Sequence, residues 1–332
     1  MKTLIMGQGG PEIPALGIGA MSFADFYGET TEAASFAVLD AAVAAGLRHI
    51  DTSNVYGKGR SERTIGAWLA ANPGARDKLH IATKAGITQD AQGRRVFNNS
   101  AAHLEAELDG SLARMGVEQV DLFYIHRREA AIPIEEVAEG LGRIVAKGKA
   151  RAVGFSEIAP ASLRRAHAVF PVAAVQSEYS LSSRFVELGL LQACRELGVA
   201  LVAFSPVGRS LLTDAPLDPA KFGKGSFVGD NPRFQPPNFA ANLAITDGFR
   251  RLAAEMEVPA AGLAIAWLLA QDGPVLPIPG TRSVAHLREL LRGLELDLGP
   301  EDLARIESVL PVGWAHGDRY SDGQYVGPER FC

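Results

Sequence analysis

The chain has 332 residues, 47% of them apolar and 21% charged, with a formal net charge of -5. That length buries a sizeable core and fits one large α/β unit or two ordinary ones, while an acidic balance without a dominant basic face speaks against a nucleic-acid partner. Two cysteines, Cys194 and Cys332, exclude a disulfide scaffold and any paired-cysteine metal or redox motif. No stretch approaches the roughly 18 apolar residues of a membrane span, and the start Met1–Gly7 lacks the apolar length of a signal peptide, so the expected location is cytoplasmic.

In chain order, Thr3–Met6 and Pro11–Ile13 flank Gly7-Gln8-Gly9-Gly10 and read as a small hairpin. Ala15–Gly19 is the first candidate core strand. Glu32–Ala45 follows as a helix with Phe36, Leu39 and Val43 on one stripe and Gly46 as its stop. Leu47–Ile50 is the second strand, leading into Asp51, and Ser61–Leu69 is a helix that turns Ile65, Trp68 and Leu69 to one side. The alternation then repeats. His80–Thr83 is a strand, Ser100 is a candidate cap for a helix carrying Leu104, Leu108 and Leu112, and Val120–Ile125 is the next strand. Ile134–Lys147 is a helix with Val137, Leu141, Ile144 and Val145 inward, and Ala150–Phe155 is the fifth strand. Pro160 suits the first turn of the helix after it. Val172–Val175, Val199–Phe204 and Val275–Ile278 complete eight strands.

Eight strand–helix units with short connections and no composition break predict an α/β fold, a (β/α)8 TIM barrel, as one domain over 1–332 with a C-terminal tail from about 311. The competing fold is an open doubly wound sheet, which lacks its signature here: no G-x-G-x-x-G follows a strand and opens a helix. Gly208–Pro237 breaks the rhythm with Gly, Pro and Asp. A loop that long after the seventh strand is expected to be a lid over the mouth of the barrel.

Asp51, Lys84 and His126 each fall at or just beyond the carboxyl end of a different strand, and Tyr56 lies in the loop after one of them. In a barrel that face carries the chemistry. The four side chains suit reduction of a carbonyl, because a hydride arriving at carbon leaves an alkoxide that needs a proton donor and hydrogen-bond donors. Tyr56 is the candidate acid. Its phenol ordinarily titrates near ~10; a Lys84 ammonium beside it is expected to lower that value, and Asp51 to hold the ammonium by an ion pair. His126 is expected to orient the substrate oxygen. The seven histidines are scattered, with no pair at metal-ligand spacing, so no metal is expected.

Four segments carry a resemblance: Asp51-Thr-Ser-Asn-Val-Tyr56-Gly57 with Ser61-Glu62-Arg63 behind it, Ile81–Lys84, Asp121–Arg127 and Gly154–Glu157. Together they resemble the aldo-keto reductases, from about Leu4 to about Leu310, and look closest to the bacterial branch near pyridoxal reductases and potassium-channel β subunits. The resemblance implies a barrel plugged from below by the N-terminal hairpin, the four catalytic roles just given, and NADP(H) as cofactor. Ser156 and Gln176 would then hold the carboxamide, and Phe204 would stack on the nicotinamide where many relatives have Tyr. Ser205, Pro206, Val207, Gly208 and Arg209 would continue along the cofactor, with Arg209, Lys221, Lys224 and Arg233 reaching for the pyrophosphate as the long loop closes.

After the eighth strand, Gly280, Thr281 and Arg282 precede a helix start that Ser283 can cap. Backbone N–H groups there, with an adjacent Arg, make an anion site. By resemblance it takes the adenosine 2'-phosphate and favours NADP over NAD, with Glu289 meeting the adenine and His286 a ring contact. Leu290 replaces an Asn usual in relatives. The implied activity is NADPH-dependent reduction of a small aldehyde or ketone to an alcohol, with neither nucleic acid nor membrane as partner and the subunit number left open. Two rivals are an NADP(H)-binding regulatory or redox-sensing subunit working through a protein partner, and a lyase or isomerase using Lys84 as a Schiff-base nucleophile. Specificity is expected from Phe23, Phe26, Tyr27, Phe97, the long loop, and a tail from Gly313 to Cys332 that carries Trp314, Tyr320 and Tyr325.

Overall fold

Strands covered on both faces should read as near-continuous apolar runs, and those runs are where the parallel strands form. In the computed structural model, which describes residues 1–331, they are β1 (Gly17–Gly19), β2 (His49–Asp51), β3 (His80–Ala85), β4 (Val120–Ile125), β5 (Ala150–Ser156), β6 (Ala174–Glu178), β7 (Ala200–Phe204) and β8 (Val275–Pro277). Cys332 lies outside the described residues. Neighbouring strands pair in parallel in chain order. The Gly19 amide donates to Pro279 O across 3.0 Å, bringing the first strand to the last. This is the expected (β/α)8 barrel.

The period-two alternation divides the apolar residues between two cores. Leu122 and Tyr124 turn into the barrel with Ala82, Ala174, Val202 and Leu276. Phe123 and Ile125 turn outward, to the much larger core under the helices. The N-terminal hairpin, Thr3–Ile5 paired antiparallel with Glu12–Pro14, adds Met6 and Ile13 to the inner core and so closes the barrel floor. No single helix among the described residues is long and apolar enough to cross a membrane.

Several local expectations shift. The buried stripe of Glu32–Ala44 is Ser35, Val38, Leu39 and Ala42, with Phe36 and Val43 only half-buried. β6 begins two residues later than its apolar run and extends to Glu178, because its polar end is buried by partners far away in sequence. Ser100 precedes the helix Ala101–Met115 without capping it; its hydroxyl donates instead to Asn98 Oδ1 at 2.7 Å. An antiparallel pair, Ile87–Gln89 with Arg95–Phe97, rises from the loop after β3 and has no counterpart among the expected elements. The long loop is folded: three short 3-10 turns, at Gly208–Ser210, Pro219–Lys221 and Pro232–Phe234, carry a small core of Leu211, Val228 and Phe234.

Candidate active site

Register places the first carboxylate. Gly19, Asp51 and Ala82 stand side by side across β1, β2 and β3, so Asp51 points to the inner side that Ala82 occupies. Lys84, two residues beyond Ala82, points the same way and is fully buried. The Lys84 ammonium contacts Asp51 Oδ1, donates to Thr52 O at 2.8 Å and lies 3.4 Å from the Tyr56 hydroxyl. Tyr56 reaches this point because the chain turns at Gly57, where φ is +57° and a Cβ would stand 2.8 Å from Ala24 Cβ. The Tyr56 and His126 rings meet edge to face, 5.8 Å between centroids. All four expected side chains therefore converge.

Two partners were not foreseen. Gln176 Nε2 donates to Asp51 Oδ2 at 2.7 Å, so Lys84 and Gln176 hold one oxygen each of that carboxylate. Ser53 Oγ lies 3.0 Å from His126 Nδ1 and can fix the orientation of the imidazole. Neither is legible from spacing, since each joins groups on different strands.

Burial sets the proton affinities. It pushes Lys84 below and Asp51 above their usual values, and the contact between the two opposes both displacements. His126 is pushed well below the ordinary imidazole value by burial, then by Arg127, Lys84 and Arg95, so it is a neutral ring near pH 7. Tyr56 is pushed well above its usual value, by burial first and Asp51 next. This runs against the expectation that Lys84 lowers the phenol: desolvation and Asp51 outweigh the one cation that lowers it, Arg127, and Tyr56 holds its proton until a stronger base appears.

A cavity of about 780 Å³ opens over these groups at the carboxyl ends of the strands. Asp51, Tyr56 and His126 line it at one end; Lys84 does not, lying beneath them. Ser156, Gln176 and Phe204 follow, then Ser205, Pro206, Val207 and Arg209. Gly208 does not line it; with φ +58° it turns the chain, and a Cβ there would stand 3.0 Å from Ser182 Oγ. The far end is formed by Gly280, Thr281, Arg282, Ser283, His286, Glu289 and Leu290. Ser283 caps the helix Val284–Leu291 as expected, its hydroxyl accepting from the Ala285 amide at 3.2 Å. Arg282 makes no ion pair among the described residues; its guanidinium donates to Glu29 O at 2.8 Å. Leu290 faces the cavity with an apolar side chain that is also buried in the outer core.

The expected loop cations behave otherwise. Arg209 donates to Glu178 Oε2 at 2.6 Å and stacks over Phe227, with 4.4 Å from guanidinium to ring centre. Arg233 points to Ser183 and Glu178, away from the cavity, and Lys221 and Lys224 are exposed outside it. Arg319, from the tail, joins the same cluster, so three arginines hold Glu178 below the usual carboxylate value against the burial that would raise it. Among the expected specificity residues, Phe26 and Tyr27 line the cavity, Phe23 is fully buried, and Phe97 lies behind Arg95. The tail packs down: Trp314 Nε1 donates to Leu181 O at 2.7 Å, and Tyr320 and Gln324 line the cavity, whereas Tyr325 does not.

An aldo/keto reductase family profile matches residues 15–311. The chain is 37% identical over 319 residues to the aldo-keto reductase yakc [NADP(+)] of Schizosaccharomyces pombe, covering 95% of this chain and 94% of that protein. It is 35% identical to the probable aldo-keto reductase 1 of Glycine max, over 97% and 93% of the two chains. Among solved structures, the glycerol dehydrogenase AKR11B4 from Gluconobacter oxydans superposes with a TM-score of 0.82 at 28% identity, covering 93% of this chain and 94% of that one. The thermostable aldo-keto reductase Tm1743, solved with the inhibitor epalrestat, gives 0.74 at 27%, over 93% and 100%.

Proposed function

The chain belongs to the aldo/keto reductase family, an NADP-dependent oxidoreductase family that reduces carbonyl groups, and from that premise we propose that this protein reduces a small aldehyde or ketone to an alcohol with Tyr56 as the proton donor. The observation that carries the reading is the convergence of Tyr56, Lys84, Asp51 and His126 at one end of a cavity whose other end is an unmatched Arg282 at a capped helix start.

The cavity fits an extended anionic cofactor: a polar middle of Ser156 and Gln176, a ring face at Phe204, and Arg282 with the helix amides at the far end. When bound, NADPH supplies the hydride. The chain's own residues do the rest. His126, neutral and bonded through Nδ1 to Ser53, offers Nε2 to the substrate oxygen and orients the carbonyl. Tyr56 gives its proton to that oxygen as negative charge develops; an alkoxide is a far stronger base than a phenolate, so the transfer runs downhill even from a raised phenol. The Lys84 ammonium, held by Asp51, then faces the phenolate.

We take 1–332 as one working domain, cytoplasmic, with a small carbonyl compound as its partner. Lys84 as a Schiff-base nucleophile is disfavoured, because its nitrogen is committed to Asp51 and Thr52 beneath the cavity. The test is NADPH absorbance decay with a panel of aldehydes, beside the same assay with NADH. Multiple turnover preferring NADPH is expected. NADPH binding without turnover would overturn the reductase reading and favour a regulatory, NADP(H)-binding subunit.

A further inference from the structure

Resting on that reading, we propose that the substrate of this enzyme carries an anionic group, a carboxylate or a phosphate ester, which Arg127 and Arg95 bind beside the reacting carbonyl. Of the arginines around the mouth of the barrel, three have a carboxylate. Arg209 and Arg233 share Glu178, and Arg319 pairs with Glu157 at 2.5 Å. Three arginines lining the cavity make no ion pair among the described residues: Arg282 at one end, and Arg127 with Arg95 at the other. The cavity therefore has two positive poles. Arg282 is the one the cofactor phosphate uses.

The second pole is on the substrate side. In an eight-strand ring the ends of β3 and β4 lie across the mouth from β7 and β8, and Arg95 and Arg127 follow β3 and β4. Arg127 is nine-tenths buried, immediately after His126. Its Nη1 donates to His126 O at 2.6 Å and to Ser156 Oγ at 3.0 Å, both neutral oxygens, and its buried Nε has no partner among the described residues. Arg95 stands on the hairpin strand, exposed at the rim, its guanidinium 5.4 Å from the Phe97 ring centre and near enough to Arg127 for the two charges to repel.

The four acidic residues that line the cavity do not answer this charge. Asp51 is held by Lys84 and Gln176, Glu29 lies by Arg282, Asp214 accepts from the Ala260 amide at 3.0 Å, and Glu289 belongs to the Arg282 end. The tail closes over the same spot. Gly327, with φ +104°, comes so near that a Cβ would stand 3.1 Å from Arg127 Cβ, and Gln324 of the tail donates to Phe227 O of the long loop at 3.0 Å. A planar guanidinium with a free buried N–H, a second one near it and a low-dielectric cover make a site for a carboxylate or phosphate oxygen.

Steady-state turnover with NADPH is measured for 4-carboxybenzaldehyde, for its neutral methyl ester, which keeps the ring and is the more electron-withdrawing of the two, so that intrinsic reactivity opposes the expected ratio, and for 4-formylphenyl phosphate. In parallel, 4-(hydroxymethyl)benzoate and its methyl ester are titrated calorimetrically into the NADPH-loaded enzyme, where no chemistry follows. The acid is expected to exceed the ester by about tenfold or more in kcat/KM and in binding, as one charge-assisted contact allows. Arg95→Gln and Arg127→Gln should each collapse that ratio. The phosphate arm tells which anion fits. Equal handling of acid and ester in both assays, or a ratio unmoved by either substitution, overturns the proposal and leaves carbonyl reduction standing. No turnover of any aldehyde overturns the reductase reading instead, and the calorimetric ratio still decides the anion site.

Discussion

Replacing Tyr56 by Phe isolates the proton donor. Phenylalanine keeps the ring that meets His126 edge to face at 5.8 Å, so packing at the cavity floor is preserved. The one protein contact removed is the hydroxyl to Lys84 Nζ, long at 3.4 Å, and a hydrogen bond of that length is worth less than about 1 kcal/mol to the resting fold. Catalysis loses far more. A positioned general acid contributes about 10²–10⁴-fold, which is roughly 3–5 kcal/mol of barrier. Expected, then, is a fall of about a hundredfold or more in kcat, with an NADPH dissociation constant, read from quenching of protein fluorescence, within about threefold of the parent. A kcat within about tenfold of the parent would refute Tyr56 as the donor. Parallel losses of kcat and NADPH affinity would show that the hydroxyl shapes the site rather than serving the reaction.

Arg282→Gln should weaken NADPH binding by about tenfold or more while leaving NADH nearly unmoved, because a charge-assisted contact to the extra phosphate is lost; equal effects on both cofactors would remove Arg282 from the phosphate site. Glu178→Gln leaves Arg209, Arg233 and Arg319 without their shared anion. Breaking such a buried cluster costs about 3–5 kcal/mol, so calorimetry should show melting several degrees lower; a melting temperature unchanged within about 1 °C would contradict the network's structural weight. At the barrel floor, His49 and His80 meet Nδ1 to Nδ1 at 2.8 Å, near Asp121, Arg76 and Lys84. Burial lowers His49 well below its usual value and His80 to about 4. The unfolded chain takes up these protons first, so stability is full above about pH 6.5 and is lost as pH falls toward 4, by about 3 kcal/mol from His80 alone. Urea unfolding across that range should show the slope, and the double substitution His49→Asn with His80→Asn should flatten it; an unchanged slope would assign the acid sensitivity elsewhere.

The sequence by itself determined the barrel and the four groups at its mouth, because both are local properties of the chain. Period-two alternation turns Ala82 and Lys84 inward on one strand, and Tyr56 comes five residues after Asp51, across a turn that Gly57 allows. Pairing of charges is not local. Arg209 and Arg233 look in the sequence like free cations on a surface loop, yet the fold brings them to Glu178 at the end of β6, and Arg319 joins from the tail. Arg127 and Arg95, which had no assigned role, are left without an anion among the described residues. The direction of the Tyr56 shift was likewise decided by tertiary packing, since desolvation depends on what surrounds the phenol and not on its neighbours in the chain. Which charges are matched, and which remain for a ligand, is settled only when segments distant in sequence close over the strand ends.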